Sequence, residues 1–222
     1  MIATLALAVA IAGCPPPPPP PAEHVLTRPR WIAHTLVTEY WPSPERWFSG
    51  PTAHVAGIPG RHRVAWLYGA RGLPMEGEGI ADDGRVYHFA GPYTLGWENA
   101  RGGATRPCTA PGYWTNGRPA RLARPAGARF AAGHARTLAY WHSAAVDPKV
   151  IPFGSRIFLS ALCPTPAHGW VVARDTGGAI GGAHIDVYRP PPAEPANGAA
   201  LRGQAMLVVP PGTRPRVEPR CP

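Results

Sequence analysis

Residues 171–188 read VVARDTGGAIGGAHIDVY, in which two short apolar runs, Val171-Val172-Ala173 and Ile185 to Val187, flank a turn holding Gly177, Gly178, Gly181 and Gly182. Glycine supplies backbone angles that other residues resist and lets a ligand come close to the main chain. The stretch therefore predicts strand, tight glycine loop, strand, with each strand delivering an aspartate, Asp175 and Asp186, beside the loop. Alternation after the loop places His184, Asp186 and Tyr188 on one face and Ile185 and Val187 on the other. One face packs and the other is left for chemistry.

The rest of the chain agrees with a mainly β fold. Its 222 residues include 31 prolines and 26 glycines, which oppose long helices and favour short strands joined by turns. At 45% apolar the chain can build a real core, either as one domain of ordinary size or as one domain with a substantial elaboration. Hairpin signals stand at Asp82-Asp83-Gly84, ahead of Arg85 to Phe89, and at Asn116-Gly117, with further turns at Gly91-Pro92 and Gly102-Gly103. Strands are expected at Ile157 to Leu159 and Ala205 to Val209. Trp97, Tyr113, Trp114 and Phe130 could stack on sugars but are read first as core, and Glu76, Glu78 and Glu98 first as a solvated face.

The first 13 residues form an apolar run too short to span a bilayer as a mature helix. Its end, Ile11-Ala12-Gly13-Cys14, resembles the lipobox of bacterial lipoproteins, which implies lipidation at Cys14. The prolines from Pro15 to Pro21 predict a stiff polyproline II spacer, roughly 20 Å long. The formal charge of +9 favours an anionic partner, but the arginines are scattered and not interleaved with aromatics, so no nucleic acid is expected. Cell-wall polymer or a membrane surface accounts for the charge equally well. Cys108, Cys163 and Cys221 allow three single bridges, and the sequence does not choose among them. There is no zinc spacing, so neither metal nor cofactor is expected.

Asp147-Pro148 with Val150 to Ser155, then Asp175 to Ile180, then Ile185 to Tyr188 resemble the three-aspartate (3D) domain, which is similar to the catalytic barrel of membrane-bound lytic transglycosylase A. The resemblance implies a double-psi β-barrel, peptidoglycan glycan strands as the partner, and Asp186 as principal acid/base with Asp175 its close partner and Asp147 a supporting group. Thr176, Gly177, Gly178, His184, Tyr188 and Trp141 are the expected glycan contacts. Thr38-Glu39-Tyr40 is reminiscent of the opening strand of such domains. One departure is Gly181, where the family commonly has lysine.

Glycosidic cleavage needs an acid for the leaving oxygen, and two neighbouring aspartates raise the pKa of one so that it keeps its proton. The organisation expected is a signal peptide at 1–14, a proline-rich linker at 15–30, a β-rich N-terminal or inserted region at 31–130, the barrel at 131–212 and a tail at 213–222. The expected protein is an exported, lipid-anchored monomer of the cell envelope, with the outer membrane favoured. Its expected reaction is lytic transglycosylation giving 1,6-anhydro ends. A hydrolase using the same carboxylates, or a non-catalytic cell-wall-binding lipoprotein, are the alternatives.

Overall fold

The computed structural model describes residues 24–69, 71–92, 127–178, 180–196 and 198–222, together with the backbone of 97–98, 104–105, 107–109, 113–114 and 122–123. Cys14 and the run before it, the prolines to Pro21, the Gly102-Gly103 and Asn116-Gly117 turns, and the side chains of Trp97, Glu98, Cys108, Tyr113 and Trp114 lie outside the described residues.

Six strands close into a barrel: β1 (Arg30–Tyr40), β2 (Ser143–Val146), β3 (Arg156–Leu159), β4 (Trp170–Asp175), β5 (His184–Tyr188) and β6 (Ala200–Val209). Around the barrel the order is β1-β5-β2-β4-β3-β6. β1 lies parallel to β5 and β2 parallel to β4, and the other neighbours are antiparallel. This closed, mixed barrel agrees with the mainly β class expected from composition and with the barrel that the resemblance implies.

Strand alternation explains the barrel's interior. Val37, Ala144, Val146, Ile157, Val171, Ala173, Ile185, Val187, Met206 and Val208 share one apolar cluster, none more than 2% exposed. Full burial of one such aliphatic side chain is worth about 1.5–3 kcal/mol. Most are β-branched and fit the pleat. The residues between them, Thr38 and Tyr40 on β1, Ala145 on β2 and Asp186 on β5, consequently face outward.

Between β1 and β2 the chain builds a second, smaller core of Trp66, Leu67, Leu73, Tyr87, Phe89 and Phe130. Phe130 is thus core, as expected. A four-stranded sheet covers it, ordered Phe130–Ala132, Val86–Phe89, Glu78–Ile80, Ser43–Pro44, with short helices at Val64–Tyr68 and Leu73–Glu76. The Asp82-Asp83-Gly84 turn joins two antiparallel strands of this sheet, as its sequence predicts, and Gly84 takes φ +83°, which strongly favours glycine.

Two boundaries differ from expectation. The barrel does not begin at 131, because β1 is one of its staves, paired to both β5 and β6. The 31–130 region is therefore an opening stave followed by an inserted unit. The tail is also tied down: Cys221 is bridged to Cys163, and Arg156 pairs with Glu218. Cys221 packs with Trp170 against Phe158, Leu207 and Val209, so the chain stays ordered beyond Pro210.

Candidate active site

The outward residues meet in one row. Thr38 of β1 pairs in register with Asp186 of β5, and Asp186 pairs on its other side with Ala145 of β2. Ala145 in turn pairs with Asp175 of β4 across a register shift. Simple alternation would leave Asp175 on the same side as Val171 and Ala173, inside the barrel. The shift lets Arg174 and Asp175 share one partner, and a bulge of this kind re-aims a side chain. The two aspartates are thus two strands apart, about 10 Å between main chains, with Ala145 on the strand between them.

Their surroundings differ sharply. Asp186 Oδ1 accepts a hydrogen bond from the Thr38 hydroxyl at 2.8 Å, while Oδ2 has no protein partner among the described residues. Its pKa is pushed up to about 6, chiefly by burial, with smaller contributions from the charges of Glu39 and Asp175 and an opposing one from the Thr38 bond. This corrects the expectation that the aspartate pair sets the acid: loss of water around the carboxyl is the leading cause, and Glu39 ranks above Asp175.

Asp175 is fully engaged. Its Oδ2 accepts from the Tyr40 hydroxyl at 2.8 Å, and its Oδ1 accepts from Thr176 N at 2.8 Å and pairs with Arg136 Nε at 3.2 Å. Glu39 is similarly occupied, by Arg189 at 2.7 Å and Ala199 N at 3.2 Å. Asp147 lies in the turn before Pro148. Its Oδ1 accepts from Lys149 N and its Oδ2 from Gly182 N at 2.9 Å, which clasps the turn to the end of the glycine loop. Gly182 has φ +63°, where a side chain would be strained. At Gly181, by contrast, an added Cβ would meet no atom within 4 Å, so packing does not dictate glycine where the family commonly has lysine.

Two of the six expected glycan contacts are corrected. His184 is only 5% exposed; its Nε2 is 2.8 Å from Thr38 Oγ1. Because Thr38 gives its proton to Asp186, His184 Nε2–H donates to Thr38, forming a relay His184–Thr38–Asp186. Tyr188 is 3% exposed, sandwiched by Tyr140 (ring centroids 4.9 Å) and Tyr40 (5.1 Å), with its hydroxyl 3.5 Å from Glu78 Oε2. Both are facing outward from the barrel, as alternation predicts, but the inserted unit and neighbouring loops bury them. Burial leaves both residues little surface for a glycan, and each packs against the neighbouring side chains of the site.

Thr176, Gly177 and Gly178 remain exposed on the loop after β4. Trp141 is half-buried, with φ +64°, a strained setting for a bulky residue, and its ring lies beneath the Arg189 guanidinium at 5.4 Å. Exposed Tyr140 forms the outer ring of the tyrosine stack, and Arg136 lies over exposed Phe153. Neither was singled out by sequence reasoning, although Tyr140 stands directly before Trp141.

Glu76, at the end of the helix Leu73–Glu76, is a further carboxyl within the electrostatic reach of Asp186. Its pKa is pushed up to about 8, first by burial, then by the Asp186 charge, with Arg71 opposing. Some surface of the residue remains open to solvent while its carboxyl is crowded by protein.

Residues 142–209 match the 3D domain. The cell wall-binding protein YocH of Bacillus subtilis (strain 168) is 43% identical over 53 residues, which are 24% of this chain and 16% of that protein. The match thus spans less than a fifth of that relative's length. Among solved structures, the membrane-bound lytic murein transglycosylase from Agrobacterium tumefaciens is 14% identical with a TM-score of 0.43, over 82% of this chain and 76% of that one. E. coli MltA with bound chitohexaose gives 15% and 0.44, over 79% and 71%. The lytic transglycosylase LtgG of Burkholderia pseudomallei gives 19% and 0.37, over 80% and 72%. At such identities and scores these likenesses say nothing of chemistry.

Proposed function

We propose that this protein is a peptidoglycan lytic transglycosylase that cleaves the MurNAc–GlcNAc bond and leaves a 1,6-anhydro end, with Asp186 as its one working carboxyl. The observation that carries this reading is the contrast among the carboxyls around Asp186. Asp186 offers an oxygen with no protein partner among the described residues and a pKa near 6. Asp175 is engaged on both oxygens, Glu39 is held through Oε2 by Arg189 and Ala199 N, and Glu76, with a pKa of about 8, is mostly neutral at pH 7.

A hydrolase needs a second carboxylate to activate water or to attack the sugar. Among the described residues no neighbouring carboxyl is placed to do so. A transglycosylase does not need one, because the sugar's own 6-hydroxyl displaces the leaving group. Asp186 donates its proton to the glycosidic oxygen as that bond breaks. The resulting carboxylate then takes the 6-hydroxyl proton as the new C1–O6 bond closes, so the carboxyl returns to its starting state. Asp175, held by Tyr40 and Arg136, supplies negative charge toward the cationic sugar that develops in between. The 3D domain match and the partial likeness to a cell wall-binding protein support the substrate class.

In this reading the protein works in the cell envelope, exported and lipid-anchored through Cys14, as a monomer on glycan strands. Replacement of Cys14 by serine is expected to release it from membranes, which fractionation measures. Digestion of purified peptidoglycan should yield products lighter by one water than hydrolase products. Products with ordinary reducing ends would make the protein a hydrolase, and retention on sacculi without products would make it a binding protein.

A further inference from the structure

Beyond Asp186, β1 and β5 end at a second outward pair, Tyr40 and Tyr188, after which the chain runs on to Trp41 and to Arg189, whose N–H donates to Tyr40 O at 3.0 Å. Three residues of strand carry the surface roughly 10 Å from the row that holds Asp186. There Trp41, Trp47, Phe48, Arg71 and Glu76 surround a recess, with Pro195 and Ala196 at its lip. Its walls come from distant parts of the chain. Trp41 and Trp47 meet edge to face at 6.2 Å, Arg189 sits over Trp41 at 5.5 Å, and Trp47 Nε1 donates to Ala193 O at 3.3 Å.

We propose that this recess is a sugar subsite along the glycan from the bond that Asp186 cleaves, with Trp41, Trp47 and Phe48 as its apolar walls and Glu76 as the hydrogen-bonding group that orients an N-acetylated ring. The proposal rests on the glycan-cleaving reading above and names a residue that binds the chain without doing the chemistry. Aromatic rings present flat apolar faces to the C–H surface of a sugar, and a ring so enclosed needs at least one polar group to fix its orientation. Three aromatics with one carboxyl match that requirement. Among the described residues no side-chain hydrogen bond uses the Glu76 carboxyl.

The charged groups that face Glu76 are Arg71, just before its own helix, and Asp186 from β5. With a pKa of about 8 the carboxyl is neutral at pH 7 and can both donate to and accept from a neutral sugar. As pH rises through about 8 it ionises and the donor is lost. Glycan binding should weaken in the same window.

The test uses the full chain carrying Asp186→Asn, titrated calorimetrically with N-acetylglucosamine oligosaccharides of increasing length between pH 6 and 9. The expected result is affinity that grows with length and falls as Glu76 ionises, at a pH below about 8 because Asp186→Asn removes one of the charges that raise its pKa. Adding Glu76→Gln, which keeps a donor at every pH, should abolish that fall, and Glu76→Ala should weaken binding at pH 7 by about three- to tenfold. Trp47→Ala should remove the gain from one sugar unit. Wild-type-like affinity and pH dependence in the Glu76 variants would overturn the subsite while leaving the glycan-cleaving reading intact. Failure of any oligosaccharide or sacculus to bind would overturn both. Should Trp47→Ala fail to fold, the pH profile of the parent against Glu76→Gln decides alone.

Discussion

At Asp186 burial does two things at once: it keeps a proton on the carboxyl and it costs stability whenever that proton leaves. A carboxyl raised from 3.8 to about 6 binds more proton in the folded state than in the unfolded one over that interval, so stability declines as pH rises through it. Asp186→Asn should consequently lower turnover by about a hundred- to ten-thousand-fold and raise stability at pH 7 by roughly 1–3 kcal/mol. Denaturant titration at pH 7 and pH 4 measures the second effect, which should shrink at pH 4. The pH profile of kcat/KM reports the acid, falling as pH rises through about 6. Thr38→Val removes a bond that favours the charged form and should move this fall to higher pH, whereas Glu39→Gln and Asp175→Asn should move it lower, Glu39→Gln by more. Equal and large shifts in the last two variants would restore the aspartate pair as the main cause.

At the scale of elements, the strands were largely legible, because Ile185/Val187 and Ile157/Leu159 carry the period-2 pattern that a half-buried strand requires. The bulge between β2 and β4 was not, since nothing in VVARD tells a reader that Arg174 and Asp175 share a partner. For the same reason the outward direction of Asp175 could not be derived from spacing. Arg136, Glu76 and the aromatic recess walls were hidden for another reason: they lie 39 to 145 residues from Asp175 or Asp186 and act only through the fold, and local patterning carries no distance information of that kind. Thr38 and Tyr40 were partly visible in a three-residue likeness whose purpose, gripping Asp186 and Asp175, emerges only from the β1–β5 register. The Asp147 clasp makes an element-scale prediction. Asp147→Ala frees Gly182 N and the loop at 176–182, which should raise amide exchange and proteolytic cleavage there while reducing activity less than Asp186→Asn does. Hydrogen exchange with mass readout checks it.

Over the whole molecule, the inserted unit and the barrel divide the work: the barrel holds Asp186 and Asp175, and the insert buries Tyr188 through Glu78 and brings Glu76 and its aromatics alongside. The Cys163–Cys221 bridge, 58 residues apart in sequence, sits by Trp170 at the opposite end of β4 from Asp175. Cys163→Ser with Cys221→Ser should cost about 2–4 kcal/mol of stability yet leave turnover at 25 °C close to that of the parent, as thermal unfolding and a sacculus assay would show together. The central claim is that one carboxyl works and water does not attack. Digesting purified peptidoglycan in water enriched in heavy oxygen tests this directly by mass spectrometry of the new sugar ends. The account predicts anhydro ends carrying no label, formed at least about a hundredfold more slowly by the Asp186→Asn variant. Labelled reducing ends formed at the rate of cleavage would contradict it.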